Sequence, residues 1–294
     1  MRTWFLETRP QFLILSVVLI FLGTSIAWYY GHFSLLYCLL AFVGLLLLHI
    51  SVNTLNDYFD YKSGIDLEAK RTPFSGGSGI LPAGLLTPAS VGRFGLLCFL
   101  LAIPIGVYFI ILRGWLLLPI LAIAAVCVLL YTTHLTRWRI GEIAAGLGMG
   151  TLPILGAYFV QTGAYTWEAV VAAIPSGILV HNLLLINEFP DVEADEKAGR
   201  RNLPITMGKK RASLLYSILT IAVYVWIIAW SVAKVMPIFT LLALLTLPLA
   251  VKAIKGALNY DEESKLVPAL GANVMVMLGI QALLAAGYVI AAIV

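Results

Sequence analysis

Asn187, Asp191 and Asp195 recur at every fourth position in LLLINEFPDVEADEKAGRRNLP, residues 183–204, where an apolar run gives way to acids and then to cations. At about 100° per residue, a step of four drifts by only ~40°, so on a continuous helix the three side chains would share one face. Such a face can hold a divalent cation. Pro190 interrupts the run: it has no N–H for the carbonyl of Ile186, which predicts a kink or helix end there. An earlier stretch, residues 53–71, follows the same plan, with Asn56 and Asp60 in Asn-x-x-x-Asp spacing and Asp57 beside them. The pairs Asn56/Asn187, Asp60/Asp191 and Lys70/Arg201 share a single offset, a hint of duplicated halves. One cluster of this kind reads equally well as solvated residues at a helix end. Two in register point to a site.

Carboxylates beside Asn carbonyls suit Mg²⁺, which prefers oxygen ligands and is commonly shared between protein carboxylates and substrate phosphates. Two clusters could hold two ions. Lys70, Arg71, Arg200 and Arg201 would then neutralise the remaining phosphate oxygens, the guanidinium groups bidentately. Gly64 can end the preceding helix in a left-handed turn, after which Asp66 would fold back towards Asp60. Gly76, Gly77 and Gly79 offer backbone N–H groups to a phosphate, although a Gly/Ser-rich surface turn explains them as well.

The elements that carry these residues are apolar. The chain has 294 residues, 61% hydrophobic and 12% charged, with a mean hydropathy of +0.96, which excludes a soluble domain and indicates a polytopic membrane protein. Apolar runs near 11–30, 34–55, 90–112, 115–133, 142–160, 168–189, 212–232, 235–254 and 270–293 are each long enough to cross about 30 Å of hydrocarbon. The expectation is an all-α bundle of nine transmembrane helices forming a single domain, 1–294. Arg113-Gly114 alone separates the third and fourth runs, so eight spans is the competing count. Cys38, Cys98 and Cys127 lie within apolar runs without a Cys-x-x-Cys pair, which indicates neither a disulfide frame nor a thiolate metal site. Arg2 and Arg9 precede the first run without a small-residue cleavage site, so the N-terminus is expected to be retained.

With the N-terminus cytoplasmic, seventeen Lys and Arg residues fall inside and only Arg113 and Lys234 outside. This bias fixes the expected orientation in a cell membrane, with the C-terminus outside. Of the fifteen acids, only Glu168 lies outside; acids contribute little to orientation, so their gathering on one face suggests a cytoplasmic site. Both Asn/Asp clusters follow even-numbered spans, the second and the sixth, and so sit at one membrane depth. A diphosphate stripped of water and clamped by metal is a good leaving group, because the charge developing as its bond to carbon breaks is already compensated. The substrate read from this is a prenyl diphosphate, its tail among the helices and its head at the cytoplasmic rim. The bilayer is the expected partner, and a nucleic acid is not.

NDYFDYKSGID at 56–66 and NEFPDVEAD at 187–195, followed by GRRNLP, resemble the paired motifs of the UbiA superfamily of intramembrane prenyltransferases. The resemblance covers essentially the whole chain. It implies a nine-helix bundle in which Asn56, Asp60, Asn187, Asp191 and Asp195 organise Mg²⁺, with Asp57 and Asp66 as further candidates, while Lys70, Arg71 and Arg201 meet the diphosphate. The acid at Asp66 rather than at position 64 resembles the branch that prenylates 1,4-dihydroxy-2-naphthoate on the way to menaquinone. YTTHLTRWRIGE is similar to a segment that places Tyr131 and Arg137 or Arg139 near the pocket, although the usual Gly-Pro after the tyrosine is missing. The implied reaction is electrophilic aromatic substitution: the allylic diphosphate ionises, an aromatic acceptor attacks the cation, and a base removes the ring proton. His49 and His181 are read either as acceptor contacts or as polar contacts between helices. The competing readings are another acceptor (4-hydroxybenzoate, homogentisate, a glycerol-phosphate ether lipid or a tetrapyrrole) and a membrane transporter, for which mid-membrane acids and broken helices would be expected.

Overall fold

The structure, a computed structural model, describes residues 1–68 and 77–294. Nine helices among the described residues are long and apolar enough to span a membrane: α1 (Pro10–Tyr29), α2 (Leu35–Ser63), α3 (Pro88–Arg113), α4 (Trp115–Leu135), α5 (Gly141–Thr162), α6 (Trp167–Asn187), α7 (Lys209–Val232), α8 (Ile238–Leu258) and α9 (Glu263–Ile293). The third and fourth apolar runs are separate spans. Gly114, at φ +105°, reverses the chain between them.

Helices α1, α6 and α9 carry much of the core, through Leu19, Leu22 and Ile26 of α1, Leu179 of α6 and Ile280 and Leu284 of α9. By contrast α3 and α4 present Leu100, Leu101, Ile111 and Leu118 outward, as side chains facing lipid would be. Burying apolar surface gives helices no advantage over lipid, so close packing of small residues has to hold them. Between α5 and α6 it does: a Cβ on Gly150 would lie 2.7 Å from the Cα of Gly177, and one on Gly177 would lie 2.2 Å from Thr151 Oγ1. Hydrogen bonds tie further spans together. Asn182 of α6 donates to Tyr216 O and Thr220 Oγ1 of α7 at 2.9 and 3.0 Å, and the Tyr216 hydroxyl donates to Asn273 Oδ1 of α9 at 2.8 Å.

The acidic segments are shaped by Gly64 and Pro190. Helix α2 runs eight residues beyond the end of its apolar stretch, to Ser63, so Asn56, Asp57 and Asp60 stand on its last turns. Asn and Asp are poor helix formers, and here they are held by partners elsewhere in the site: Asn56 bonds to Thr132, Asp57 to Ser78 and Asp60 to Arg200. Gly64, at φ +85°, then ends α2 as its position predicts, with its N–H bonded to Tyr61 O. Helix α6 ends at Asn187, and a new short helix, Val192–Lys197, starts at Asp191. Pro190 lies in the break. Asn187, Asp191 and Asp195 therefore do not share one continuous helix face.

Candidate active site

The tips of α2 and α6 meet through one side chain. Arg200 Nη2 donates to Asp60 Oδ1, and its Nη1 donates to Asp195 Oδ1 at 2.9 Å. These partners lie 140 and 5 residues away in sequence. The second oxygen of each carboxylate is also engaged: Asp60 Oδ2 accepts from Asn56 Nδ2 at 3.0 Å, and Asp195 Oδ2 accepts from Asn202 Nδ2 at 2.8 Å. Burial pushes the Asp195 carboxyl up, and Arg200 pulls it back. Burial pulls the Arg200 guanidinium down, but Asp60 and Asp195 outweigh this and hold it above its usual range. It is a permanent cation.

The link between α4 and α5 closes the third side. Helix α4 ends in a π-helical turn, Tyr131–Leu135, a distortion frequent at functional sites. That turn lets Thr132 Oγ1 accept from Asn56 Nδ2 at 3.1 Å, while Thr136 O accepts from the Arg201 N–H at 3.1 Å. Glu142, buried at the start of α5, accepts from the Leu203 N–H at 2.5 Å. The segment 200–203 is thus pinned by its backbone while the Arg200 side chain reaches inward. Tyr131 lies within electrostatic range of Glu188, Arg200, Glu142 and Asp60. Glu188 is buried beside Glu142; burial first, then that neighbour, pushes its carboxyl well up.

The N-terminus supplies a fourth side. Glu7 is fully buried, and its Oε2 accepts from Ser78 Oγ at 2.9 Å; the Ser78 N–H donates to Asp57 Oδ2 at 2.9 Å. Arg9 Nη1 stands 3.6 Å from Asp57 Oδ1. Arg9 adopts φ +56°, a left-handed conformation that non-glycine residues rarely hold without a structural reason. Asp57 is therefore engaged with Arg9 and the 77–79 turn. Asp66 is buried against Gly77, where an added Cβ would come within 2.9 Å of its Oδ2. Burial, then Asp60 and Asp57, push Asp66 up to about 7, and burial, then Asp57, push Glu7 up to about 7.

From this polar mouth a cavity of about 300 Å³ runs into the bundle. Arg9, His49, Asn53, Asn56, Tyr131 and Asn187 line its polar end; Ala41, Phe109, Leu117 and Val160 line the far end. Asn56 and Ala41 both stand on α2, fifteen residues apart, so at 1.5 Å per residue the cavity follows the helix for about 22 Å. His49 both faces the cavity and pairs its Nδ1 with Ser16 Oγ at 2.9 Å. His181 instead contacts Asn182 Oδ1 at 3.4 Å. Arg137, Arg139 and Arg201 are exposed, and none lines the cavity wall. Lys70, Arg71 and Gly76 lie outside the described residues.

Among the described residues no three acidic, His or Cys side chains converge as a ready-made metal cage. The donor set nevertheless fits Mg²⁺. Every ligand at the mouth is an oxygen, and Asn187 Oδ1, Asp66 Oδ2 and Glu188 Oε2 are buried without hydrogen-bond partners. Sequence reasoning missed Glu7, Arg9, Ser78, Glu142, Glu188 and Asn202. Glu188 adjoins Asn187, Asn202 lies inside GRRNLP, Glu142 ends YTTHLTRWRIGE and Ser78 sits between Gly77 and Gly79, whereas Glu7 and Arg9 stood in no recognisable motif.

Nine apolar helices around an apolar cavity with a polar end define a polytopic helical membrane protein. Residues 15–291 match the UbiA prenyltransferase family, and the chain belongs to it. It is 29% identical, over 90% of its length and 84% of the relative's, to a 1,4-dihydroxy-2-naphthoate octaprenyltransferase of Bacillus subtilis. A relative of the same name from Escherichia coli is 26% identical, with 95% of each chain covered. In fold it is similar to a digeranylgeranylglyceryl phosphate synthase (TM-score 0.68, 19% identity, 98% of each chain). It is also similar to a UbiA homologue from Archaeoglobus fulgidus bound to GPP and Mg²⁺ (TM-score 0.63, 14% identity, 99% and 100% covered).

Proposed function

We propose that the chain transfers a prenyl group from a prenyl diphosphate to 1,4-dihydroxy-2-naphthoate, with Mg²⁺ as cofactor, at a site facing the cytoplasm. The observation that carries this reading is the meeting of Asp60 and Asp195, from separate halves of the chain, beside Asn56, which bonds to Asp60 and lines an apolar cavity about 22 Å long. The names of the Bacillus subtilis and Escherichia coli relatives support the acceptor, and the metal bound by the Archaeoglobus fulgidus homologue supports the cofactor. The asymmetry of seventeen cations against two supports the orientation.

Asn56, Asp60, Asn187, Asp191 and Asp195 would hold the metal, with Asp66 as a further ligand. Bound there, Mg²⁺ would compensate the charge that develops on the leaving diphosphate. Arg200, aided by Arg201, would take the outer phosphate oxygens, and Lys70 and Arg71 are proposed to join them. The cavity wall would hold the tail along α2 and keep water from the allylic carbon until the electron-rich ring attacks it. Tyr131, at the boundary between cavity and charges, would present its ring to the developing allylic cation.

The test is an acceptor panel. Purified protein in lipid nanodiscs is given a radiolabelled prenyl diphosphate and, in turn, dihydroxynaphthoate, 4-hydroxybenzoate, homogentisate and a glycerol-phosphate ether lipid. Label should enter the dihydroxynaphthoate product fastest. Transfer to another acceptor alone would reassign the substrate, and transfer to none would reject the reading.

A further inference from the structure

We propose that Arg200 is a resident counter-ion, holding Asp60 and Asp195 together in the metal-free enzyme and passing from them to the diphosphate as metal and substrate load. This deepens the function proposed above and rests on it.

Four observations lead there. A single guanidinium bonds to a carboxylate from each acidic tip, so it fills the place where a cation shared by the two tips would sit. Asp60 and Asp195 are buried, their side chains 8% and 2% exposed, and Arg200 is largely covered at 17%, so solvent compensates these charges poorly. The Arg200 Nε is buried without a hydrogen-bond partner, which leaves a donor for a further acceptor. The backbone around Arg200 is fixed apart from the guanidinium, by Arg200 N–H to Asp195 O, Arg201 N–H to Thr136 O and Leu203 N–H to Glu142. Only the side chain need move.

The energetics follow from charge pairing. A divalent ion arriving alone must compete with Arg200 for Asp60 and Asp195, and would strand a buried guanidinium without an anion. Metal arriving with a diphosphate leaves nothing stranded, because the guanidinium exchanges two carboxylates for a phosphate edge that matches its fork. Metal and diphosphate must therefore bind cooperatively, each raising affinity for the other by the same factor. Divalent metal alone should therefore bind weakly.

Loss of the free Mn²⁺ signal in electron paramagnetic resonance measures this without turnover, on the full-length protein in nanodiscs, with and without inorganic pyrophosphate at matched free Mn²⁺. The wild type should bind Mn²⁺ alone weakly, and at least about tenfold more tightly with pyrophosphate. Arg200→Gln should bind Mn²⁺ alone at least about tenfold more tightly than wild type, with most of the pyrophosphate enhancement gone. An Arg200→Gln protein that binds Mn²⁺ alone no better than wild type overturns the counter-ion role while leaving the metal site standing. Absence of Mn²⁺ binding in both proteins, even with pyrophosphate, overturns the metal reading and this proposal with it. Should Arg200→Gln not insert, Arg200→Lys, which can reach one carboxylate at a time, should lie above wild type in Mn²⁺ affinity; equality with wild type is the overturning result.

Discussion

Asn202 joins the stability of the site to its chemistry, and three substitutions there separate the two. Its Nδ2 donates to the buried Asp195 Oδ2 at 2.8 Å, and its Oδ1 caps the short helix Leu203–Met207 by accepting from the Ile205 N–H at 3.3 Å. Asn202→Ala removes both. A hydrogen bond to a charged group contributes about 1.5–3 kcal/mol, and an N-cap about 1 kcal/mol. The expected loss is about 2–4 kcal/mol. Asn202→Ser can keep the cap but is too short for Asp195, so it should recover only about 1 kcal/mol. Asn202→Asp keeps the cap and sets a second carboxylate against Asp195, so at pH 7 and without metal it should be less stable than Asn202→Ser. Denaturant unfolding in nanodiscs, followed by tryptophan fluorescence, gives the order wild type, Ser, Asp. A loss of positioning at Asp195 worth 1.4 kcal/mol would lower kcat/KM about tenfold in Asn202→Ala. Stability of Asn202→Ala within about 0.5 kcal/mol of wild type, or of Asn202→Asp equal to wild type, would refute the reasoning.

Asp60→Ala and Asp191→Ala should each reduce prenyl transfer by at least about a thousandfold while the protein still inserts, and unchanged turnover in either removes that residue from the site. Glu7 is raised from 4.5 to about 7 by burial, so the folded protein holds its proton more tightly than the unfolded chain. Its contribution to stability is complete below pH 4.5 and is lost as pH rises towards about 7; unfolding of the metal-free protein across that window should show this slope, and Glu7→Gln should flatten it. Gly150→Ala would drive a methyl to 2.7 Å from the Gly177 backbone, so it should cost about 1–3 kcal/mol and lower the thermal midpoint, whereas Gly163→Asn, at an open left-handed position, should change it little.

Hydropathy carried the nine spans and the side-by-side reading of the second and sixth, because span length and the alternation of exits are properties of consecutive residues. The same local reasoning placed the helix end at Gly64 and the break at Pro190, where backbone chemistry admits few alternatives. The apolar run near 34–55 ends before the helix does, because Asn56, Asp57 and Asp60 lower the hydropathy while α2 continues to Ser63. The charge pairing at the centre was out of reach for a different reason. Asp60 finds Arg200 140 residues away, Ser78 finds Glu7 71 residues away, and Leu203 finds Glu142 61 residues away. No periodicity encodes such pairings. Arg200 and Arg201 are neighbours with the same side chain, yet one is buried between two acids and the other is exposed.

The central claim is that the acidic tips of α2 and α6 form one site. A double-mutant cycle on kcat/KM for the prenyl diphosphate, using Asp60→Asn, Asp195→Asn and the pair together, tests it most directly. If both carboxylates serve one diphosphate, the double variant should be little worse than the poorer single one. Losses that simply multiply, as they would for two independent sites, would contradict it.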